Sequence, residues 1–259
     1  MRWSSSLAVL LVGLAVAPTA QRDASGERIA VTVTQVLPEM ADAWQYAVRD
    51  NAIPPQKKAG LAFRHTYATG PFGKLYTFVT ITPIEEYAQY DRPGALARSL
   101  GADGLAKYNA DVRPMLVSTH VTAMTLQRPL SIVSDTRTPA PFVMIETVHP
   151  LPGRGPEYHA IMAADYLPVY RKAGIRDYWF YTSSYGAVPT VMVVRPVSKL
   201  AELDQPNPLL EAMNHALGVE AAQQLHLRRD ALLSSSGPIE LHRFVPELSF
   251  GMPATNPTP

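Results

Sequence analysis

Two short stretches carry most of the side chains with chemistry to offer. In residues 61–68 (LAFRHTYA), Phe63, His65 and Tyr67 fall on alternate positions, and an extended backbone puts all three on one face. In residues 176–183, Asp177, Trp179 and Tyr181 alternate in the same way. A cleft lined by these groups holds a flat apolar or aromatic molecule by stacking, with the Tyr67 and Tyr181 hydroxyls as hydrogen-bond donors. His65 titrates near neutrality and is the candidate catalytic base. Strand aromatics such as Tyr178, Trp179 and Phe180 also have a plain packing role.

A second set lies further on. Glu146 interrupts an apolar strand, and Glu240 and His242 alternate on the last predicted strand. If those two strands are neighbours, Glu146 stands beside His242 as a carboxylate orienting an imidazole. The expected ligand-binding set is therefore Phe63, His65, Tyr67, Trp179, Tyr181, Glu146 and His242. His159, His215 and His226 fall on predicted helices without His-x-x-x-His or His-Glu-x-x-His spacing, and cysteine is absent, so no metal is expected. Nucleophile elbows, phosphate loops and dinucleotide glycine patterns are also missing.

The elements that position these residues occur twice. Aligning Gly60 with Gly174 also aligns Pro54 with Pro168, Lys58 with Lys172, Ala59 with Ala173 and Tyr67 with Tyr181. Farther along, Leu100-Gly101 matches Leu217-Gly218. Each copy reads β-α-β-β-α-β: alternating β-branched strands, helices with apolar residues at three- and four-residue spacing, and a glycine stop. The copies span residues 29–131 and 142–249. A polar, Pro-rich linker at 132–141 resists joining either sheet, and 250–259 reads as a loose tail. Pro54 and Pro168 sit inside the first helix of each copy, where each deletes a backbone hydrogen bond. They imply a shared bend or an early helix end.

The N-terminus differs from everything after it. Arg2, an apolar run over residues 7–17 and the small residues Pro18, Thr19 and Ala20 describe an export leader over residues 1–20. The mature chain is then expected to be secreted or periplasmic, with no membrane span. A net charge of +1 and no basic cluster give no footprint for nucleic acid. At 47% hydrophobic residues the chain can bury a core without disulfides.

A β-α-β-β-α-β unit folds into a four-stranded antiparallel sheet with both helices on one face. On this order, the duplication and the Lys-Ala-Gly junctions at 58–60 and 172–174, the chain resembles the dimeric α/β-barrel superfamily, including its tandem NIPSNAP-like members. The resemblance implies an α+β fold: two tandem ferredoxin-like units packed sheet to sheet as an intramolecular dimeric α/β barrel. It also implies a small-molecule ligand and a monomer or homodimer. Its activities would be ligand binding, cofactor-free monooxygenase or isomerase chemistry using His65, or haem-dependent oxidation with a helix histidine as ligand. No residue here points to haem, and no cofactor is expected.

Overall fold

The computed structural model describes residues 27–134 and 139–251. The expected leader, residues 135–138 of the linker and 252–259 of the tail lie outside them. The first half comprises β1 (Arg28–Val36), α1 (Ala41–Ala47), α2 (Ile53–Lys58), β2 (His65–Thr69), β3 (Thr77–Pro83), α3 (Ala95–Val112) and β4 (Leu116–Leu126). The second comprises β5 (Phe142–Pro150), α4 (Gly155–Ile161), α5 (Leu167–Lys172), β6 (Trp179–Tyr185), β7 (Val191–Val197), α6 (Pro208–Leu217), α7 (Val219–Asp230), β8 (Leu233–Ser236) and β9 (Glu240–Phe244).

Strand order is β4-β1-β3-β2 in the first half and β9-β5-β7-β6 in the second. These are the same topology, as the duplication requires. The halves do more than stack. β4 hydrogen-bonds to β6, and β2 to β9, so eight antiparallel strands close into a barrel. Closure removes the strand edges that a four-stranded sheet leaves open. The last strand of the second half is split into β8 and β9 at Gly237-Pro238, where proline has no N–H for the ladder.

Alternation along each strand sorts side chains between two layers. Ile29, Val31, Tyr67, Val79, Met124, Val143, Met192 and Val194 fill the barrel. On the outer face Trp44, Val48, Ile53 and Phe78 pack under the first half's helices. Tyr158, Met162, Tyr166, Phe180 and Val193 pack under the second's.

The two prolines neither end nor sharply stop their helices. A single π turn precedes each one, Val48–Ala52 and Met162–Tyr166, closed by bonds from Ile53 N–H to Val48 O and Leu167 N–H to Met162 O. The widened turn relieves the clash between a proline ring and the carbonyl four residues back. Gly101 and Gly218, with φ of 71° and 83°, break the second helix of each half at the aligned position. Other residues rarely adopt that conformation.

Two boundaries differ from expectation. Regular β2 pairing begins at His65, and Arg64 instead exchanges backbone bonds of 2.8 and 2.7 Å with Phe250. Phe250 and Gly251, expected in a loose tail, are thus fastened to the barrel. Ile132, expected in the linker, pairs with Tyr178 at the barrel margin. Both segments satisfy backbone groups that would otherwise be buried unpaired. Among the described residues no helix is long and apolar enough to cross a membrane.

Candidate functional site

The two stretches singled out at the start meet inside the barrel. Phe63, His65 and Tyr67 from one half and Trp179 and Tyr181 from the other line a cavity of about 60 Å³, with Glu27, Ile29, Ile81, Leu126, Val133 and Pro139 completing the wall. A second space of about 30 Å³ shares Tyr67, Ile81, Trp179 and Tyr181 and runs on to Val143, Ile145 and Met192. The walls are apolar apart from a few groups, and those few decide the chemistry.

His65 is 6% exposed. Its Nε2 lies 3.0 Å from the Gly251 carbonyl oxygen. A carbonyl only accepts, so the ring proton is assigned to Nε2, leaving Nδ1 as the basic nitrogen. Burial lowers the His65 pKa below its ordinary 6.5, against the smaller opposing effect of the Gly251 bond. The ring is therefore neutral at neutral pH, held between Phe63 at 5.0 Å and the edge of Phe244 at 5.9 Å. Gly251 reaches this position at φ +69°, and a Cβ there would run into the Ala62 carbonyl. Glycine alone delivers this carbonyl to His65.

Tyr67 is 4% exposed, and no described group hydrogen-bonds its hydroxyl. Burial raises its pKa, so it stays protonated and presents an unpaired donor to the cavity. Trp179 behaves differently. Its Nε1–H donates to Asp177 Oδ1 at 3.1 Å, and that oxygen also accepts from Ser134 N–H and Oγ–H at 3.0 and 2.9 Å. The indole thus shows the cavity its ring and not its donor. Asp177 anchors the segment at Ser134 and does not line the cavity.

The proposed Glu146–His242 pair does not form. β5 and β9 are neighbours, but His242 stands opposite Val143 and Glu240 opposite Ile145, so both face the interior. Glu146 is out of phase and stands opposite Val193 in the helix-facing layer. There its charge acts on Arg195, Tyr158, Tyr170 and Tyr178. The carboxylate beside His242 is Glu240, with Oε2 3.4 Å from Nε2.

One further feature lies outside the predicted set. A groove of about 650 Å³ lies between α2, β3 and the start of α3, bordered by Gln56, Leu61, Thr82, Tyr90, Arg92 and Arg98. The available signal was α3 itself, whose alanines and glycines form no apolar stripe to seat on the sheet.

Haem, one option that the superfamily resemblance carries, needs an imidazole facing a space that admits a macrocycle. Among the described cavities none combines the two. The cavity with His65 holds about 60 Å³, and the 650 Å³ groove has no histidine in its wall. His226, on α7, has its Nδ1 occupied at 2.8 Å by the Tyr166 hydroxyl. Neither cavity thus offers both an imidazole and room for the macrocycle. Among the described residues no group of three or more histidine, aspartate or glutamate side chains is placed to hold a metal ion.

Known structures share the architecture at low sequence identity. An anthrone oxidase-like protein superposes with a TM-score of 0.57 at 9% identity, over 86% of this chain and 92% of its own. A mutant chlorite dismutase from Candidatus Nitrospira defluvii gives 0.53 at 11%, over 86% and 92%. A protein from Fusobacterium nucleatum assigned provisionally as a monooxygenase gives 0.52 at 10%, over 85% and 93%. No family model and no curated protein matches the sequence. The chain has the dimeric α/β-barrel fold, with both halves in one polypeptide.

Proposed function

We propose that this chain is exported, loses residues 1–20, and binds a small apolar or aromatic molecule inside its barrel. The observation that carries the reading is the convergence of Phe63, His65, Tyr67, Trp179 and Tyr181, from both halves, on one apolar cavity with an unpaired Tyr67 hydroxyl. A ligand oxygen placed at the Tyr67 hydroxyl would gain one hydrogen bond, about 0.5–1.5 kcal/mol. The cavity of about 60 Å³ is smaller than the roughly 150 Å³ that holds a benzene ring. A ring therefore enters as Trp179, half-buried at the margin, swings aside.

Thermal-shift titrations with naphthalene and 1-naphthol test this. Both should raise the midpoint with concentration, and 1-naphthol should bind about tenfold tighter through one hydrogen bond. If neither moves the midpoint, the reading is wrong. Export is tested separately: N-terminal sequencing of protein recovered from a secreting host should begin at Gln21.

One observation favours an enzyme reading of the same site. His65 is neutral, its basic Nδ1 has no described partner, and Tyr67 lies two residues along the same strand face. Nδ1 can take a proton from an acidic C–H or O–H of a bound aromatic. The resulting imidazolium keeps its Nε2–H on Gly251, and the Tyr67 O–H supports the anion left on the ligand. Anthrone oxidase-like and monooxygenase-assigned proteins are among the structural neighbours. The measurement is deuterium exchange at the acidic methylene of anthrone. Acceleration by the wild type and its loss in His65→Gln, with binding retained, supports the reading; equal rates in both end it.

A further inference from the structure

We infer that the barrel interior contains a second, hydrogen-bonding subsite beyond Tyr67, built for a neutral group that both donates and accepts. The inference rests on the binding reading above and adds the class of ligand.

Four interior positions lie in one row across neighbouring strands. Gln35 on β1 stands opposite Thr77 on β3. Thr77 adjoins Thr69 on β2, whose Oγ1–H donates to the Thr77 carbonyl at 3.3 Å. Thr69 stands opposite His242 on β9. Each is in phase with a residue of the barrel core: Val31, Val79, Tyr67 and Phe244. In this row Gln35 Oε1, Thr77 Oγ1 and His242 Nδ1 are buried without a hydrogen-bond partner, and His242 Nε2 has only Glu240 Oε2, at 3.4 Å. His242 is 1% exposed and Thr77 5%. Buried polar atoms are nearly always paired, and clusters of unpaired ones mark places where water, an ion or a ligand belongs.

The fold does not demand this polarity. At the matching seam between β4 and β6, the pair in the place of His242 and Thr69 is Met124 and Ser183, and Met124 packs in the barrel core. The row lies close to the surface: Ser118, the other neighbour of Gln35, is exposed, and Glu240 beside His242 is partly exposed.

The orphan atoms define what fits. Gln35 Oε1 accepts, Thr77 offers an O–H, and His242, its Nε2–H turned to Glu240, offers the Nδ1 lone pair. A carboxylate would be repelled by Glu240, 3.4 Å from the imidazole. A cation would leave the Thr77 O–H without an acceptor. A primary carboxamide satisfies both kinds: its N–H groups reach acceptors, and its carbonyl takes a donor.

The test uses acetamide on the full-length chain, read by ¹⁵N signals of the His242 ring, with acetate as control. Acetamide should shift both ring nitrogens, and acetate should not. The near-isosteric Thr77→Val should weaken acetamide about tenfold without losing stability, since it removes an unpaired hydroxyl. Should Thr77→Val not fold, Gln35→Met carries the same expectation. Ring signals indifferent to acetamide, or equal affinity in the variant, overturn the inference and leave water as the occupant. Naphthalene binding does not involve this row, so a naphthalene response without an acetamide response refutes the subsite alone.

Discussion

The two halves share strand order, π turns and helix-breaking glycines, yet they fill the space between helices and sheet differently. In the second half Tyr158, Tyr166, Tyr170, Tyr178 and Phe180 pack that layer solid. In the first the layer is thinner, and part of it is the 650 Å³ groove. Inside the barrel the contrast takes another form. Tyr67 and Tyr181 occupy equivalent places, but His65 stands where the other half has Trp179. The shared features are the scaffold, and the candidate chemistry sits where the copies differ. A duplicated barrel gives one half freedom to diverge while the other continues to hold the sheet closed.

The largest expected effect tests the packing side of that contrast. Phe180→Ala, at 0% exposure, should cost about 3–5 kcal/mol of stability. Leu105→Ala, on the groove wall, should cost no more than about 1 kcal/mol. Urea denaturation of both variants decides it, and equal losses would mean that the first half's layer is packed as tightly as the second's. Gly251→Ala should come next, at about 1–3 kcal/mol, because the substitution forces a strained φ and a clash with the Ala62 carbonyl. Its diagnostic consequence is local: His65 should lose its Nε2 partner, visible as a change in its ring ¹⁵N shifts, while the second half keeps its amide spectrum.

Much of the frame was legible because it is written in periodicity. Alternation gave the strands, the Lys-Ala-Gly junctions gave the duplication, and the same alternation placed His65, Tyr67, Trp179 and Tyr181 on faces that converge. What failed were relations that periodicity leaves open. Glu146 and His242 lie on neighbouring strands, but register decides the face, and a one-residue offset sends them to opposite layers. The π turns were hidden because proline signals a disturbance without saying whether the helix ends or widens. Fastening of Phe250 and Gly251 depends on a long-range backbone match to Arg64, and the short polar tail gave no local sign of it. Of the row from Gln35 to His242 only His242 stood out: Gln35, Thr77 and Thr69 are ordinary in their own strands, and only closure of the barrel aligns them.

Histidine burial makes both halves sensitive to acid. Burial lowers the pKa of His65 in the first half and of His159, His226 and His242 in the second. Above the ordinary value of 6.5 these rings are neutral folded or unfolded, and their full contribution to stability is present. As pH falls below 6.5 the unfolded chain takes up protons that the folded chain refuses, so stability declines until the lowered folded values are reached. His65→Gln should make this acid limb shallower by at most about 1.4 kcal/mol per pH unit, the weight of one proton. Urea midpoints between pH 7.5 and 5 measure it. An unchanged limb would mean that His65 titrates in the folded state as it does in the open chain.

The smallest effect is the sharpest for the site. Tyr67→Phe removes a buried hydroxyl that no described group satisfies, so it should leave stability unchanged or raise it by up to about 1 kcal/mol. It should also bring 1-naphthol down to the affinity of naphthalene, a loss of about tenfold. Tyr181→Phe is the same change in the equivalent place, on the cavity wall contributed by the other half. The naphthol preference should follow Tyr67 and survive at least in part without the Tyr181 hydroxyl. Equal losses in the two variants would make the cavity symmetric in its chemistry, and His65 would then be a packing residue that happens to face it.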